Sequence, residues 1–337
     1  MRRIKITDDL LDFAKKFKQD LFKDSPRLIL PIDRLEKLKS DYGAGSHELK
    51  FINTLIKDYQ KIQLMKPSEM QALIKQNKSL YDKLFYQPAT PKKGKVRAMP
   101  ARATPFSKAI LKALCYSQLR EKEAYKIVQH LNINACVYCN SQLAIVVKHK
   151  SKFKARLEMD HFFSKTRYPH FSTSFFNLIP SCSNCNKSKS DTETNLKTHF
   201  HLYSENGLLN QFKFRLSDAS ILKFSKTRNR NDIKIEFLDH NTAVNHISND
   251  HDSLFAIKAI YETQRDVAEE LIDKKIAYSN SKKKELLTKF KALFPNEDIL
   301  NRLIIGNYTR EDEIHKRPLA KFTQDIAQDL KLDKLIK

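Results

Sequence analysis

Two Cys-x-x-Cys pairs constrain this chain more than any other feature. Cys136/Cys139 and Cys182/Cys185 stand 42 residues apart and use four of the five cysteines. A pair at this spacing fits within one turn, and two pairs supply the four thiolates of a tetrahedral structural zinc site. The chain must then fold back so that residues near 136 and near 185 meet at one point. Between the pairs lie Asp160-His161 and Asn177, and Asn186 directly follows the last cysteine. A carboxylate, an imidazole and amide oxygens are what metal-dependent phosphodiester hydrolysis requires. Coincidental, metal-free cysteines are the plainer alternative, but paired spacing is the recognised zinc signature.

Bulk composition bounds the rest. A chain of 337 residues has room for two or three domains, and its 41% hydrophobic and 30% charged content suits packed cores with a solvated surface. No apolar run approaches the roughly 20 residues that span a bilayer, so no membrane partner is expected. The basic start Met1-Arg2-Arg3-Ile4-Lys5 leads into no apolar signal core. With most cysteines at metal-ligand spacing rather than in a disulfide framework, a reducing, cytoplasmic location is expected. The formal net charge is +23. Residues 1–130 hold 28 Lys+Arg against 14 Asp+Glu, residues 131–210 hold 10 against 5, and residues 211–337 hold 24 against 20. A Lys-rich composition that merely solvates helices accounts for part of this. The surplus ahead of the cysteines points to nucleic acid, where Lys and Arg gain affinity by counterion release.

Only 5 glycines in the chain argue for helix with few tight turns. Residues 7–23 read as a helix capped by Thr7, and residues 46–65 as a second, capped by Ser46. The stretch 88–105, with Pro88, Pro91, Pro100 and Pro105 among Lys92, Lys93, Lys95, Arg97 and Arg102, reads as an extended linker. It is either a solvated hinge or an arm along a phosphate backbone. A helix from Pro105 to His130 comes next, with Cys115 beside Leu111 and Leu114 as a small core residue. From 136 to 201 the order is knuckle, hairpin (Leu143–Val147 and Phe153–Met159), loop, short strand (Asn177–Pro180), knuckle, and a helix capped by serine or asparagine. Phe212, Phe214, Leu216 and Ile233, Ile235, Phe237 alternate as a small hairpin. Residues 252–293 are helical, broken at Ser279–Ser281, and helices at about 297–306 and 318–332 close the chain. Three parts are expected: a basic helical region over 1–130, a core bracketed by the cysteine pairs over 131–210, and a hairpin with helices over 211–337.

Here the chain resembles the HNH (ββα-metal, or His-Me finger) nucleases of the four-cysteine zinc subclass. The matching pieces are Cys136-Val137-Tyr138-Cys139, Glu158-Met159-Asp160-His161-Phe162, Asn177-Leu178-Ile179-Pro180 and Cys182-Ser183-Asn184-Cys185-Asn186-Lys187-Ser188-Lys189, in the family's order. The implied fold class is α+β, mainly helical, with a ββα-metal core stapled by zinc and flanked by helical regions. The resemblance makes His161 the general base and Asp160 a ligand of a catalytic Mg²⁺ or Mn²⁺. Asn177 would orient His161 through a hydrogen bond, and Asn186 would be the second metal ligand. Many relatives carry histidine at that last position; an amide oxygen is a hard ligand that favours Mg²⁺ or Mn²⁺ over zinc. Lys165, Arg167, Lys187 and Lys189 flank the site as candidate phosphate contacts. Glu158 reads as an outer or solvated residue, His170 as surface or structural, and His199 and His201 as a pair that could face one side.

Residues 160–169 further resemble the HNH proteins of bacterial anti-phage systems of the Septu and retron-associated type, which act beside an ABC or SMC-like ATPase. That implies a defence effector cutting nucleic acid, with double-stranded DNA the expected substrate. A toxin-like subunit that cuts RNA or tRNA, and a zinc-stapled binding module without catalysis, are the alternatives. The amphipathic stretch 252–293 is either a docking surface for a partner or, as most helix stripes are, core. Loss of Cys182 should cost folding as well as activity, and loss of His161 activity alone.

Overall fold

The computed structural model describes residues 1–23, 28–87, 102–150, 152–240 and 246–333. Most of the linker expected at 88–105, residues 88–101, lies outside the described residues. On either side of it, β2 (Tyr86–Gln87) and β3 (Arg102–Ala103) pair antiparallel.

The N-terminal helices start where the sequence places their caps. Strand β1 (Ile4–Lys5) leads to α1 (Asp8–Asp20), whose first turn is capped by Thr7 Oγ1 accepting from the Leu10 amide at 3.3 Å. Helix α2 (Pro31–Leu38) opens on a proline, which needs no amide partner there. Ser46 Oγ caps α3 (His47–Lys57) at 3.1 Å. The single helix expected to 65 is broken at Asp58, and the chain restarts as α4 (Tyr59–Leu64). Helix α5 (Pro67–Phe85) bends at Asn77, whose φ and ψ of −113° and 18° are not helical.

The helix expected over 105–130 is also interrupted. After α6 (Pro105–Ala113), Cys115 adopts φ 56°, a left-handed conformation that normally favours glycine. A one-turn α7 (Tyr116–Gln118), a π-helical turn at Leu119–Glu123 and α8 (Ala124–His130) complete the stretch. Cys115 is 1% exposed and takes the expected core position.

Residues 145–181 hold two separate two-stranded sheets. Strands β4 (Ile145–His149) and β5 (Lys152–Arg156) form an outlying hairpin on which Phe153 stacks with Tyr125. Strand β6 (Glu158–His161) pairs antiparallel with β7 (Leu178–Ser181), setting Asp160 opposite Ile179 and His161 opposite Leu178. Helix α9 (Ser183–Lys189) leaves β7 directly, which completes a ββα unit. Strand β8 (Tyr203–Ser204) runs parallel to β1, tying the start of the chain to the end of this region.

Strands β9 (Phe212–Leu216) and β10 (Ile235–Asp239) pair antiparallel, but α10 (Asp218–Thr227) separates them, so the expected hairpin is a longer excursion. The helical stretch after 248 is broken more often than expected, into α11 (Ser248–Phe255), α12 (Ile257–Glu262), α13 (Arg265–Ala277) and α14 (Asn280–Lys289). Ala256 is left-handed at φ 53°, and Ser279 caps α14 as its sequence suggests. Ile257, Tyr261, Ala268 and Leu271 are buried, so most of that stripe is core, whereas Ile276 is exposed. Helices α15 (Glu297–Ile305) and α16 (Ala320–Asp329) come last.

Buried side chains of all three sequence segments, among them Phe17, Phe175, Phe214 and Phe322, belong to one continuous core cluster. The turn after the first cysteine pair is braced by the C-terminal region. Asn140 Nδ2 donates to the Ile314 carbonyl at 2.9 Å, and Asn140 Oδ1 accepts from the Lys321 amide at 2.9 Å. Among the described residues, no helix is long and apolar enough to cross a membrane.

Candidate active site and cysteine cluster

The ββα unit brings the two cysteine pairs together. The Sγ atoms of Cys136, Cys139, Cys182 and Cys185 lie within 4.8 Å of one another, and all four residues are buried. A tetrahedron with Zn–S bonds of about 2.3 Å has sulfurs roughly 3.8 Å apart, so the cluster fits a thiophilic cation with little adjustment. Each half is built by local backbone bonds. The Cys136 amide donates to the Gln142 carbonyl at 2.9 Å, and Asn140, left-handed at φ 53°, closes the first turn. In the second half Cys182 itself caps α9, its sulfur accepting from the Cys185 amide at 3.4 Å. The cap expected to be serine or asparagine is therefore a thiol that also belongs to the cluster. Burial, followed by the neighbouring cysteine sulfurs, pushes the Cys136 thiol well above its ordinary range.

The other end of the unit carries Asp160 and His161, which are 5% and 2% exposed. Tyr138, between the first two cysteines, donates its hydroxyl to Asp160 Oδ2 at 2.6 Å. Lys189, the last residue of α9, places Nζ 3.3 Å from both carboxylate oxygens and donates to the His161 carbonyl at 2.6 Å. Burial raises the Asp160 pKa above the usual carboxylate range, against the pull of Lys189 and Tyr138. Asp160 is thus a buried carboxyl with Lys189 as its counter-charge and the Tyr138 hydroxyl and His161 amide as neutral donors.

His161 is oriented by the backbone. Its Nε2 lies 2.9 Å from the Ser172 carbonyl, and the ring meets Tyr116 edge-on at 4.7 Å. A carbonyl oxygen only accepts, so Nε2 carries the proton and Nδ1 keeps a free lone pair. Burial, followed by the nearby Lys165 charge, holds the imidazole well below its ordinary pKa, so the ring is neutral near pH 7. A neutral imidazole with one fixed N–H and one free lone pair is equipped to accept a proton.

Asn177 does not hydrogen-bond to His161, which corrects the expectation of a direct contact. Its Oδ1 accepts from the Phe163 amide at 2.8 Å, and its Nδ2 donates to the carbonyls of Phe163 and Phe171, both at 3.0 Å. It fixes the two ends of the loop that carries Ser172, and so acts on His161 one step removed. The same loop is clamped from outside by Lys18 Nζ donating to the Thr173 carbonyl at 2.9 Å and by Ser174 Oγ donating to the Ile62 carbonyl at 2.8 Å.

The candidate phosphate contacts divide. Lys187 is exposed. Lys165 is half-buried, its Nζ 5.5 Å from the Tyr116 ring centre. Arg167 stacks on Tyr86 at 4.0 Å, donates to the Tyr86 hydroxyl at 2.9 Å and pairs with Glu193 at 3.4 Å. Lys189 is 1% exposed and committed to Asp160 and the His161 carbonyl, so it is not a surface phosphate contact. Asn186 is partly exposed on α9 with no side-chain hydrogen bond among the described residues, so its amide is uncommitted. His170 is buried rather than on the surface, and His201 is buried with Nδ1 turned to Tyr203. His199 instead bonds Thr198 Oγ1 at 2.7 Å. Sequence reasoning gave no role to Tyr138 or Ser172. Tyr138 had a signal, since its place inside a cysteine turn ties it to the knuckle, but a backbone carbonyl such as that of Ser172 leaves no trace in side-chain types.

Comparison with known proteins bears on the same region of the chain. The Septu protein PtuB of Bacillus thuringiensis is 39% identical over 56 residues, which is 17% of this chain and 19% of that relative's length. No solved structure matches. Residues 136–192, from the first cysteine to just past α9, match the HNH endonuclease family, and the chain therefore contains an HNH endonuclease domain.

Proposed function

We propose that this chain is a divalent-metal-dependent endonuclease in which His161 is the general base. The observation that supports this most is the tautomer imposed on His161: Nε2–H held by the Ser172 carbonyl leaves Nδ1 able to take a proton from water. Asp160 and Asn186 offer a carboxylate and an amide oxygen, a hard donor set that fits Mg²⁺ or Mn²⁺, whereas the four thiols fit zinc. Lys189 now supplies the positive charge beside Asp160, and a bound divalent ion would take over that task. The ion, when bound, would neutralise charge on the scissile phosphate and the departing oxygen. The chain's own contribution is to hold the base neutral, aim Nδ1, and hold the Asp160 carboxyl beside it through Tyr138 and Lys189.

The expected substrate is double-stranded DNA, in keeping with the net charge of +23. Similarity to a Septu protein supports a role as effector in anti-phage defence, acting beside an ABC or SMC-like ATPase. One observation favours a second reading, a zinc-stapled nucleic-acid-binding module: Asp160 and His161 are almost fully enclosed and already bonded. Plasmid cleavage with Mg²⁺ or Mn²⁺ decides between the two. Wild-type nicking that His161→Ala abolishes, with DNA binding retained, is the expected result. Binding without cleavage under every divalent ion tested, with and without an ATPase partner, would establish the second reading. Parallel digestion of single-stranded DNA and total RNA assigns the substrate.

A further inference from the structure

The hairpin of β4 and β5 takes no part in the site described above, and its charge is one-sided. Residues 124–157 contain no Asp or Glu, and five of the ten Lys and Arg of residues 131–210 fall between Lys148 and Arg156. Residues paired across an antiparallel ladder share a face. Lys148 and Phe153 therefore lie on one face with Val146 and Ala155, and that face rests on α8, where Phe153 stacks with Tyr125. The other face pairs Val147 with Lys154 and Ile145 with Arg156, and both of its cations are exposed. Lys148 and Lys150 are exposed as well, and none of these four is in an ion pair among the described residues.

A merely solvated basic face is arranged differently in this protein. On α14, Lys282 and Lys289 both pair with Glu285. The hairpin has no such acid, so the repulsion among its cations is unrelieved from within. Lys150, in the turn between the strands, adds a second sign. Its φ of 47° is left-handed, a conformation that glycine or asparagine adopts at less cost. The tip carries a cation although its backbone favours another residue. Strand β5 runs into β6 through Leu157 alone, so the Cα atoms of Arg156 and Asp160 are no more than about 14 Å apart. A polyanion held along the hairpin is thereby brought to the end of the ββα unit that carries Asp160 and His161.

We propose that the β4–β5 hairpin is an arm that lies along duplex DNA and holds it against the acid–histidine end of the ββα unit. Lys and Arg without acidic partners gain affinity for phosphates by releasing counterions. A two-stranded ribbon fits the major groove of B-form DNA, whereas that of A-form RNA is too deep and narrow to read. Strands of five residues are about 13 Å long, or about four base-pair steps of duplex. Phe153 is stacked on Tyr125 rather than free to enter a lipid interface. The role rests on duplex DNA being the substrate, and not on the assignment of His161.

Fluorescence anisotropy of a labelled DNA duplex, with the full chain in buffer free of Mg²⁺ and Mn²⁺, reads the contact without cleavage. A variant combining Lys148→Gln, Lys150→Gln, Lys154→Gln and Arg156→Gln should melt like the wild type, since all four side chains are exposed. It should bind the duplex about tenfold or more weakly, and the slope of log affinity against log salt should fall by about 2 to 4. Lys282→Gln, Lys284→Gln, Lys289→Gln and Lys291→Gln together remove the same charge elsewhere and should cost about threefold at most. With Mg²⁺ present, the hairpin variant should need about tenfold more DNA for half-maximal nicking and reach the wild-type rate at saturation. The proposal is overturned if the hairpin variant binds duplex DNA unchanged, if the α14 variant loses as much, or if the wild type binds no duplex DNA. It is also overturned if the hairpin variant loses binding only to duplex RNA or only to phosphatidylserine vesicles. Wild-type binding without nicking would instead overturn the endonuclease reading and leave the arm in place.

Discussion

The two ends of the ββα unit are built in opposite ways. The cysteine cluster draws all its donors from side chains in two short turns, and each turn is closed by its own backbone bonds. The acid–histidine end draws its partners from scattered places: Tyr138 from the first knuckle, Lys189 from the far end of α9, and a backbone carbonyl from Ser172. A structural metal is specified by four like ligands at fixed spacing. A reactive pair needs its charge and tautomer set, and any part of the chain can supply those groups. Tyr138 joins the two ends, since the turn that places Cys136 and Cys139 also aims a hydroxyl at Asp160.

The contrast is broken most severely at the cluster. Cys182→Ala removes one thiol and the cap of α9 together. Structural zinc sites contribute apparent binding free energies of about 10–16 kcal/mol near neutral pH, so metal and fold should be lost together. Zinc content by mass spectrometry should fall from one ion per chain to none, and Tm should drop by roughly 10 °C or more. A zinc-free Cys182→Ala chain that melts like the wild type would mean that the cluster is not what holds this unit.

At the other end, His161→Ala should lower nicking by about 10²- to 10⁴-fold, the usual worth of a positioned base. The loss does not stop at activity, as the sequence alone suggests it should. The ring is enclosed against Tyr116 and bonded to Ser172, so its removal also leaves a cavity and an unpaired carbonyl. A destabilisation of about 1–3 kcal/mol should accompany the loss of activity, measurable by urea unfolding.

Lys189→Met sharpens the comparison further, because it leaves Asp160 buried without its ion-pair partner. Removing one member of a buried ion pair typically costs about 3–5 kcal/mol. The variant should unfold earlier than the wild type in buffer free of Mg²⁺ and Mn²⁺, and Mg²⁺ should restore more stability to it than to the wild type. Equal stabilities in that buffer would show that this pair contributes nothing to the fold.

Legibility in the sequence divides along the same line. Thr7, Ser46 and Ser279 cap the helices their types announce, because an N-cap is a local side-chain-to-amide bond. The cluster and the order β6, loop, β7, α9 were legible for the same reason. The interruptions at Asp58, Cys115 and Ala256 were not. No glycine or proline marks them, and packing into one core imposes them instead. Nor was the burial of Lys189 legible. A lysine four residues past a cysteine looks like a surface cation until the fold turns it inward onto Asp160.

Acid separates the two ends by the histidines that surround them. His170, His201 and His251 are buried with pKa values pushed down to about 3 by desolvation, and His315 to about 4. Above about pH 6.5 these rings are neutral both folded and unfolded, so they contribute no pH dependence there. As pH falls below about 6.5 the unfolded chain takes up protons that the folded chain refuses. Stability then declines by about 1.4 kcal/mol per pH unit for each such histidine until its folded value is reached. Protonation of the cysteine thiolates acts in the same direction through loss of metal. His170→Leu isolates the histidine part, since the His170 ring makes no hydrogen bond among the described residues that the substitution would break. The variant should match or exceed wild-type stability at about pH 7 and should lose stability less steeply between about pH 6.5 and about 3, by one histidine's share. An unchanged slope in urea unfolding across that range would mean that the loop holding His161 gains proton access before the fold is lost.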